Sequence, residues 1–476
     1  MQFIPDVVIH LFKSLLGTEF VRTNPVELSL YSCDGLRLHT AAPGCVVLPA
    51  STIDIVEIVK ICRNYSIPFV ARGAGTGLSG GAIIDGGVII QLSRMNQILE
   101  IDIPNRCAVV QPGVVNAHLT QSVKPYGYQF APDPSSQIAS TIGGNLAENS
   151  GGPHTLKYGV TVNHILGQTI VLPNGELLNI GGKYRYSAEP DLNSIFTGSE
   201  GTIGIASEII VNLEKNPEKT STFLLGFDTI EKSTEFVSEL LIMGVIPAAM
   251  EMIDELCIQA VEKKMKTGLP LNAKAVLLIE LDGNSEEIGW EEKCVRKLQN
   301  KFSGSTLEEA ETEEDRQRLW KGRKHAAGAL GILSPAFYTN DGVVPRDKLT
   351  EIFKIIEKLS DQFNIQIANL CHAGDGNIHP LLLYNPDDKN DVERVFDCSS
   401  EILIACLELG GSLSGEHGIG VEKRHLFDKM FSNSAIELQK QIKLFYDENG
   451  LLNPGKMFPA QTGCGELNRF KTAELN

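Results

Sequence analysis

No Cys-x-x-Cys occurs among the ten cysteines of this 476-residue chain. Cys33, Cys45, Cys62, Cys107, Cys257, Cys294, Cys371, Cys398, Cys406 and Cys464 stand singly in hydrophobic contexts. That excludes the local spacing of an iron–sulfur cluster or a redox dithiol, and it fits buried free thiols in a reducing compartment. No apolar run approaches the roughly 18 residues of a spanning helix. The opening MQFIPDVVIHLFKSLLGTEF reads as an amphipathic lead-in helix with no cleavage site behind it. An excess of positive charge is also missing: the formal net charge of -17 excludes the clustered cations that nucleic acid requires. With 42% apolar and 21% charged residues, disordered and fibrous classes are excluded as well. What remains is a cytoplasmic globular protein of two or three domains, large enough to enclose a cofactor.

Against these absences stands HAGDGNIHP, with His372 and His379 on either side of Asp375-Gly376. The flanks IQIANLC and IHPLLLY read as strands, and Asp-Gly supplies the turn of a hairpin that brings the two imidazoles together. Glu416 and His417 follow in GGSLSGEHGIG. His372, His379 and Glu416 make a three-ligand set with an open position, as expected of a catalytic zinc, with iron or manganese also permitted. The competing reading is a hairpin with one structural histidine.

Upstream, apolar spacing predicts a helix over 52–67, capped by Ser51 or Thr52 and ended before Pro68. The strand FVARG and the loop Arg72-Gly73-Ala74-Gly75-Thr76-Gly77-Leu78-Ser79-Gly80-Gly81 come next. Its G-x-G-x-x-G is not a Rossmann fingerprint, because AIIDGGVIIQL after it is β-rich and opens no helix. Successive glycine amides still form an anion nest, although a tight turn explains one such loop equally well. A second stretch, from PDPSS through TIGGN to SGG, adds hydroxyls and amides suited to phosphate oxygens or a flavin edge. Two such loops point to a dinucleotide. TVNHILGQTIVLPNGELLNI reads as strand, turn, strand, so this half closes as β-hairpins. FTGSEGTIG reads as a further loop that approaches a ligand or simply turns. After Pro217, strands such as TFLLGF and AVLLIEL alternate with amphipathic helices, expected at 250–266 and 349–363, which is the pattern of an α+β cap. EEDRQRLWKGRKHAAGAL carries helical periodicity, with Arg316 and Lys324 read as solvated neighbours of Arg323.

Taken together, ARGAGTGLSGG, PDPSSQIASTIGGNLAENSGG, LKYGVTVNHI, FTGSEGTIGI, HAGDGNIH, SGEHGIG and NPGKMF resemble the FAD-linked D-2-hydroxyacid dehydrogenases. These belong with the vanillyl-alcohol oxidase and p-cresol methylhydroxylase flavoproteins, and the likeness is greatest to the catalytic D-subunit group of glycolate oxidase. The resemblance implies an α+β fold with lead-in helices at 1–40, a p-cresol methylhydroxylase-type FAD-binding domain at 41–217, a cap at 218–458 and a tail at 459–476. It implies FAD on Arg72, Gly73, Ala74, Gly75, Thr76, Gly77, Leu78, Ser79, Pro132, Asp133, Ser136, Thr141, Ile142, Gly144, Asn145, Ser150, Gly151, Tyr158, Glu200, Gly201, Ile205 and Asn453. The glycine loop lacks the histidine that holds flavin covalently in some relatives, so the FAD is expected to be non-covalent.

By the same resemblance Arg323 grips the substrate carboxylate, a task suited to a guanidinium fork. His417 takes the hydroxyl proton, and His372 and His379 adjoin the substrate. The stretch Tyr338-Thr339-Asn340-Asp341 lacks the lysine that relatives use for a second carboxylate, which argues for glycolate or D-lactate. Electrons are expected to pass to an iron–sulfur subunit, beside a second flavin subunit, in a complex peripheral to the inner membrane. The rivals are a non-catalytic FAD-binding subunit and an alkyldihydroxyacetone-phosphate synthase-like flavoprotein.

Overall fold

The computed structural model describes residues 4–185 and 190–459. The expected tail from 460 onward, with Cys464, lies outside them. Thr52–Asn64 is a helix begun by a capping box, with Ser51 accepting from the Asp54 amide and Asp54 from the Ser51 amide. It lies against a four-stranded sheet ordered Val21–Arg22, Cys45–Val47, Val88–Gln91, Phe69–Arg72, whose last three strands are parallel. The β-hairpin closure expected for this half therefore holds only for its second sheet, an antiparallel array of Ile98–Asp102, Cys107–Val110, Ile205–Asn212, Ile165–Val171 and Leu177–Gly181.

The lead-in is not a separate piece. Val8 and Phe12 of helix Asp6–Leu16 are fully buried in the core of the first sheet, and so is Leu452 from the far end of the chain. The nine described cysteines are free thiols, all buried except the half-buried Cys33.

The cap is an eight-stranded sheet that runs Thr306–Glu309, Lys219–Phe227, Ala275–Gly283, Ala249–Asp254, Ile367–His372, Asn377–Tyr384, Ala336–Thr339, with Gly342–Val343 also on Asn377–Tyr384. Helices Ile230–Ile242, Ser285–Gln299, Leu349–Phe363 and Lys389–Glu408 cover one face. Glu255–Met265 and Glu313–Lys324 pack on the other.

One expected helix is corrected. Residues 249–254 are a fully buried strand, and the helix begins only at Glu255, capped by Asp254. Met250 and Met252 enter one core while Ala249 and Ile253 enter the other, so a period of two prevails over the apparent helical spacing. The helix bearing Arg323 likewise stops at Lys324 and resumes as a short turn, Ala326–Ala329.

Candidate active site

The hairpin forms as expected, with His372 opposite Asn377 and Leu370 opposite His379. Alternation along the strands places Phe337, Thr339, Leu370, His372, His379 and Leu381 on the wall of one cavity of about 550 Å³. The Nε2 atoms of His372 and His379 lie 3.4 and 3.3 Å from Glu416 Oε1. Each ring turns its other nitrogen to an acceptor: His372 Nδ1 to Glu251 Oε1 at 2.6 Å, and His379 Nδ1 to the Asn340 carbonyl at 3.2 Å. Ligand imidazoles are held this way in metal sites, with Nε2 left free for the ion. The donor atoms of these three residues lie within 4.8 Å of one another, so the set fits a divalent cation. Burial works against a charge on Glu416, but the two histidines outweigh it and hold the carboxyl far below its usual range.

Asp341, His379 and His417 form a second close group. Its carboxylate is already committed, because Asp341 accepts from Ser414 Oγ at 2.5 Å, the His417 amide at 2.9 Å, Asn377 Nδ2 at 2.8 Å and Lys423 Nζ at 3.1 Å. It fixes the Gly-Glu-His-Gly loop instead. His417 stacks on His379 at 5.2 Å between ring centroids, and burial pulls its pKa down to about 4 despite Asp341, so the ring stands neutral. Asp341 carried no sequence signal beyond standing where a lysine was absent.

Arg323 reaches the same cavity. Its Nη2 lies 2.5 Å from Glu251 Oε2, and its buried Nε has no protein acceptor among the described residues. An unpaired buried N–H costs on the order of 1–3 kcal/mol, which a ligand carboxylate would relieve. Arg316 is not merely solvated: it forms two 2.8 Å bonds to the buried Glu280. Lys324 stays exposed at the cavity rim, its ammonium 5.4 Å from the Trp320 ring.

The glycine loops close the other end of the cavity. Arg72, Gly73, Ala74, Gly75, Thr76, Gly77, Leu78, Ser136, Thr141, Gly144, Asn145, Ser150, Glu200, Gly201 and Ile205 all line it. Side chains are disfavoured where the loops meet: a Cβ on Gly73 would fall 2.3 Å from Thr141 Oγ1, and one on Gly75, at a strained φ of +69°, would fall 2.2 Å from Arg72 Nη2. Arg72 itself holds the loop through the carbonyls of Cys33 and Ala82. Among the described residues, no backbone acceptor meets the amides of residues 74–79, so they are open to a ligand or to water. Asn145 Nδ2 and Gln168 Oε1, on residues of the same wall, are buried and unpartnered. A dinucleotide such as FAD fits this set of groups.

Seven expected cofactor residues do not line the cavity: Ser79, Pro132, Asp133, Ile142, Gly151, Tyr158 and Asn453. Tyr158 donates to Asp282, Asp133 pairs with His154 at 2.8 Å, and Asn453 Nδ2 bonds the carbonyls of Gly81 and Glu200. The Ser79 carbonyl accepts from the Val421 amide, the Pro132 carbonyl accepts from Asn116, and Ile142 is wholly buried in the core. A Cβ on Gly151 would meet Thr155 Oγ1 at 2.9 Å and Glu416 Oε2 at 3.2 Å, so Gly151 packs against the Glu416 side chain. Asn453 and Ser79 thereby tie the glycine loop to neighbouring segments of the chain. Gln168 and Glu251 were missed, and their one sequence signal was a polar residue inside an otherwise apolar strand run, ILGQTIV and AMEMID.

A cradle for a dinucleotide beside a His/His/Glu set defines a flavin-linked oxidoreductase. The chain belongs to the FAD-linked oxidases: residues 43–181 match the FAD binding domain and residues 216–457 the C-terminal domain of FAD linked oxidases. It is 40% identical to glycolate oxidase subunit GlcD of Escherichia coli K12 over 97% of this chain and 93% of that one. It is 39% identical to the Bacillus subtilis GlcD subunit over 90% and 92%, and 30% identical to a probable mitochondrial D-lactate dehydrogenase of Danio rerio over 94% and 91%. The fold is shared with p-cresol methylhydroxylase, at a TM-score of 0.80 and 17% identity over 95% of this chain and 96% of that one. Alkyldihydroxyacetonephosphate synthase is a more distant fold neighbour, at 0.77 and 18% over 95% and 86%.

Proposed function

We propose that the protein oxidises a small D-2-hydroxy acid to the 2-keto acid, with glycolate to glyoxylate as the first assignment and non-covalent FAD as oxidant. The observation that carries this is the convergence of Arg323, His372, His379, Glu416 and His417 on the cavity that the glycine loops close. Bound FAD supplies a two-electron acceptor for the substrate α-hydrogen. His372, His379 and Glu416 would hold a divalent cation, zinc by ligand type with iron or manganese permitted, and such an ion lowers the pKa of a hydroxyl beside it.

The protein's own groups do the rest. Arg323 grips the carboxylate and sets the direction of the C–H bond. His417, neutral and stacked on His379, takes the hydroxyl proton on a ring nitrogen. Leu370, Leu381 and Phe337 on the same wall would seat a methyl group, which makes D-lactate the second substrate reading.

Among the described residues no helix is long and apolar enough to cross a membrane. By likeness to the glycolate oxidase subunits, electrons leave for a separate acceptor, an iron–sulfur subunit in a complex of that kind, cytoplasmic and peripheral to the inner membrane through its partners. The test is anaerobic addition of glycolate to the FAD-loaded protein, with glyoxylate quantified. One glyoxylate per flavin is expected, and none at saturating glycolate would reject glycolate as substrate.

A further inference from the structure

We propose that Glu251 is a positioning residue that couples the grip on the substrate carboxylate to the cation site. This rests on the roles given above to Arg323 and His372. Strand Ala249–Asp254 lies beside Ile367–His372 with Glu251 directly opposite His372, so their side chains leave the same face as cross-strand neighbours. One carboxylate then serves two partners: Oε1 lies 2.6 Å from His372 Nδ1, and Oε2 lies 2.5 Å from Arg323 Nη2.

Glu251 is 1% exposed, so neither contact is weakened by solvent. Held at Nδ1, the His372 ring can turn only Nε2 toward Glu416. On the other side the same carboxylate balances the Arg323 charge and fixes the guanidinium, whose unpaired Nε remains for the substrate. A rotation of the carboxylate therefore moves a cation ligand and the anion grip together.

The experiment uses full-length, FAD-loaded protein stripped with a chelator, titrated with Zn²⁺ against a chromophoric indicator, and assayed for glycolate KM and kcat after reloading. Glu251→Gln keeps the shape and removes the charge. Its expected effect is Zn²⁺ affinity weaker by about 10- to 100-fold, the range for outer-shell partners, together with a glycolate KM raised by about tenfold or more. FAD stoichiometry should be unchanged, which reports an intact cradle. Arg323→Ala should raise KM and weaken Zn²⁺ affinity by less than Glu251→Gln does, because His372 Nδ1 keeps its carboxylate acceptor. If Glu251→Gln does not fold, Glu251→Asp keeps the charge but is too short to reach both partners, and the same paired weakening is expected. A variant that changes only one of the two quantities, or neither, overturns the coupling. Wild-type protein that binds no Zn²⁺ and is not reduced by glycolate defeats the proposed function itself, and the coupling with it.

Discussion

Tyr158 donates a 2.6 Å hydrogen bond to Asp282, tying the LKYG segment of the FAD-binding half to a central strand of the cap sheet. Lys157 Nζ reaches the same carboxylate at 2.7 Å. Tyr158, expected from the resemblance beside the cofactor, also joins the two halves. Tyr158→Phe removes a bond to a charged acceptor, worth about 1.5–3 kcal/mol. Urea unfolding should show a loss of that order with FAD stoichiometry unchanged. Loss of FAD at undiminished stability would return Tyr158 to the cofactor.

A second latch is pH-dependent. His154 bridges Asp133 at 2.8 Å and Glu280 at 3.4 Å and stacks on Trp320. Burial disfavours the imidazolium, but the two carboxylates prevail and raise its pKa from the ordinary 6.5 to about 10. A raised folded-state pKa contributes stability that is complete below about pH 6.5 and fades as pH climbs toward 10. Wild-type protein should therefore lose more stability than His154→Gln between pH 6.5 and pH 10, measured as urea midpoints. Parallel curves for the two proteins would show that His154 carries no proton in the fold.

His417→Asn removes the proposed proton acceptor while the His417 amide bond to Asp341 persists, because that bond belongs to the backbone. Single-turnover flavin reduction should fall by about 10²-fold or more, the scale of general-base contributions, with FAD still bound. Undiminished reduction would remove His417 from that role.

Gln168 offers an unpartnered Oε1 on a residue of the cavity wall. Gln168→Leu is expected to weaken FAD binding by up to about tenfold, the worth of one neutral hydrogen bond. This can be checked by flavin fluorescence on titration of the apoprotein, and an unchanged Kd would mean that the cofactor does not use this group.

The parts legible in the sequence were those encoded locally. Asp375-Gly376 announced the hairpin, and Ser51 or Thr52 announced a helix start. The glycines at 73 and 75 marked backbone that leaves little room for a side chain. The parts not legible depended on pairing across long separations. Met250 and Met252 suited a helix as well as a strand until partners at 275–283 and 367–372 decided the matter. Glu251 lies 121 residues from His372 in the chain, and no local spacing could join them. The hydrogen bond from Tyr158 to Asp282 and those from Asn453 to the Gly81 and Glu200 carbonyls likewise span long separations that no local motif announces.

The central claim is that this cavity brings a small D-2-hydroxy acid to a flavin. The most direct test is stopped-flow absorbance of the anaerobic, FAD-loaded protein mixed separately with glycolate, D-lactate, L-lactate and D-2-hydroxyglutarate. Rapid bleaching of the flavin band by glycolate or D-lactate, and not by L-lactate, is the predicted result. A flavin that none of the four reduces would contradict the claim and favour a non-catalytic FAD-binding subunit.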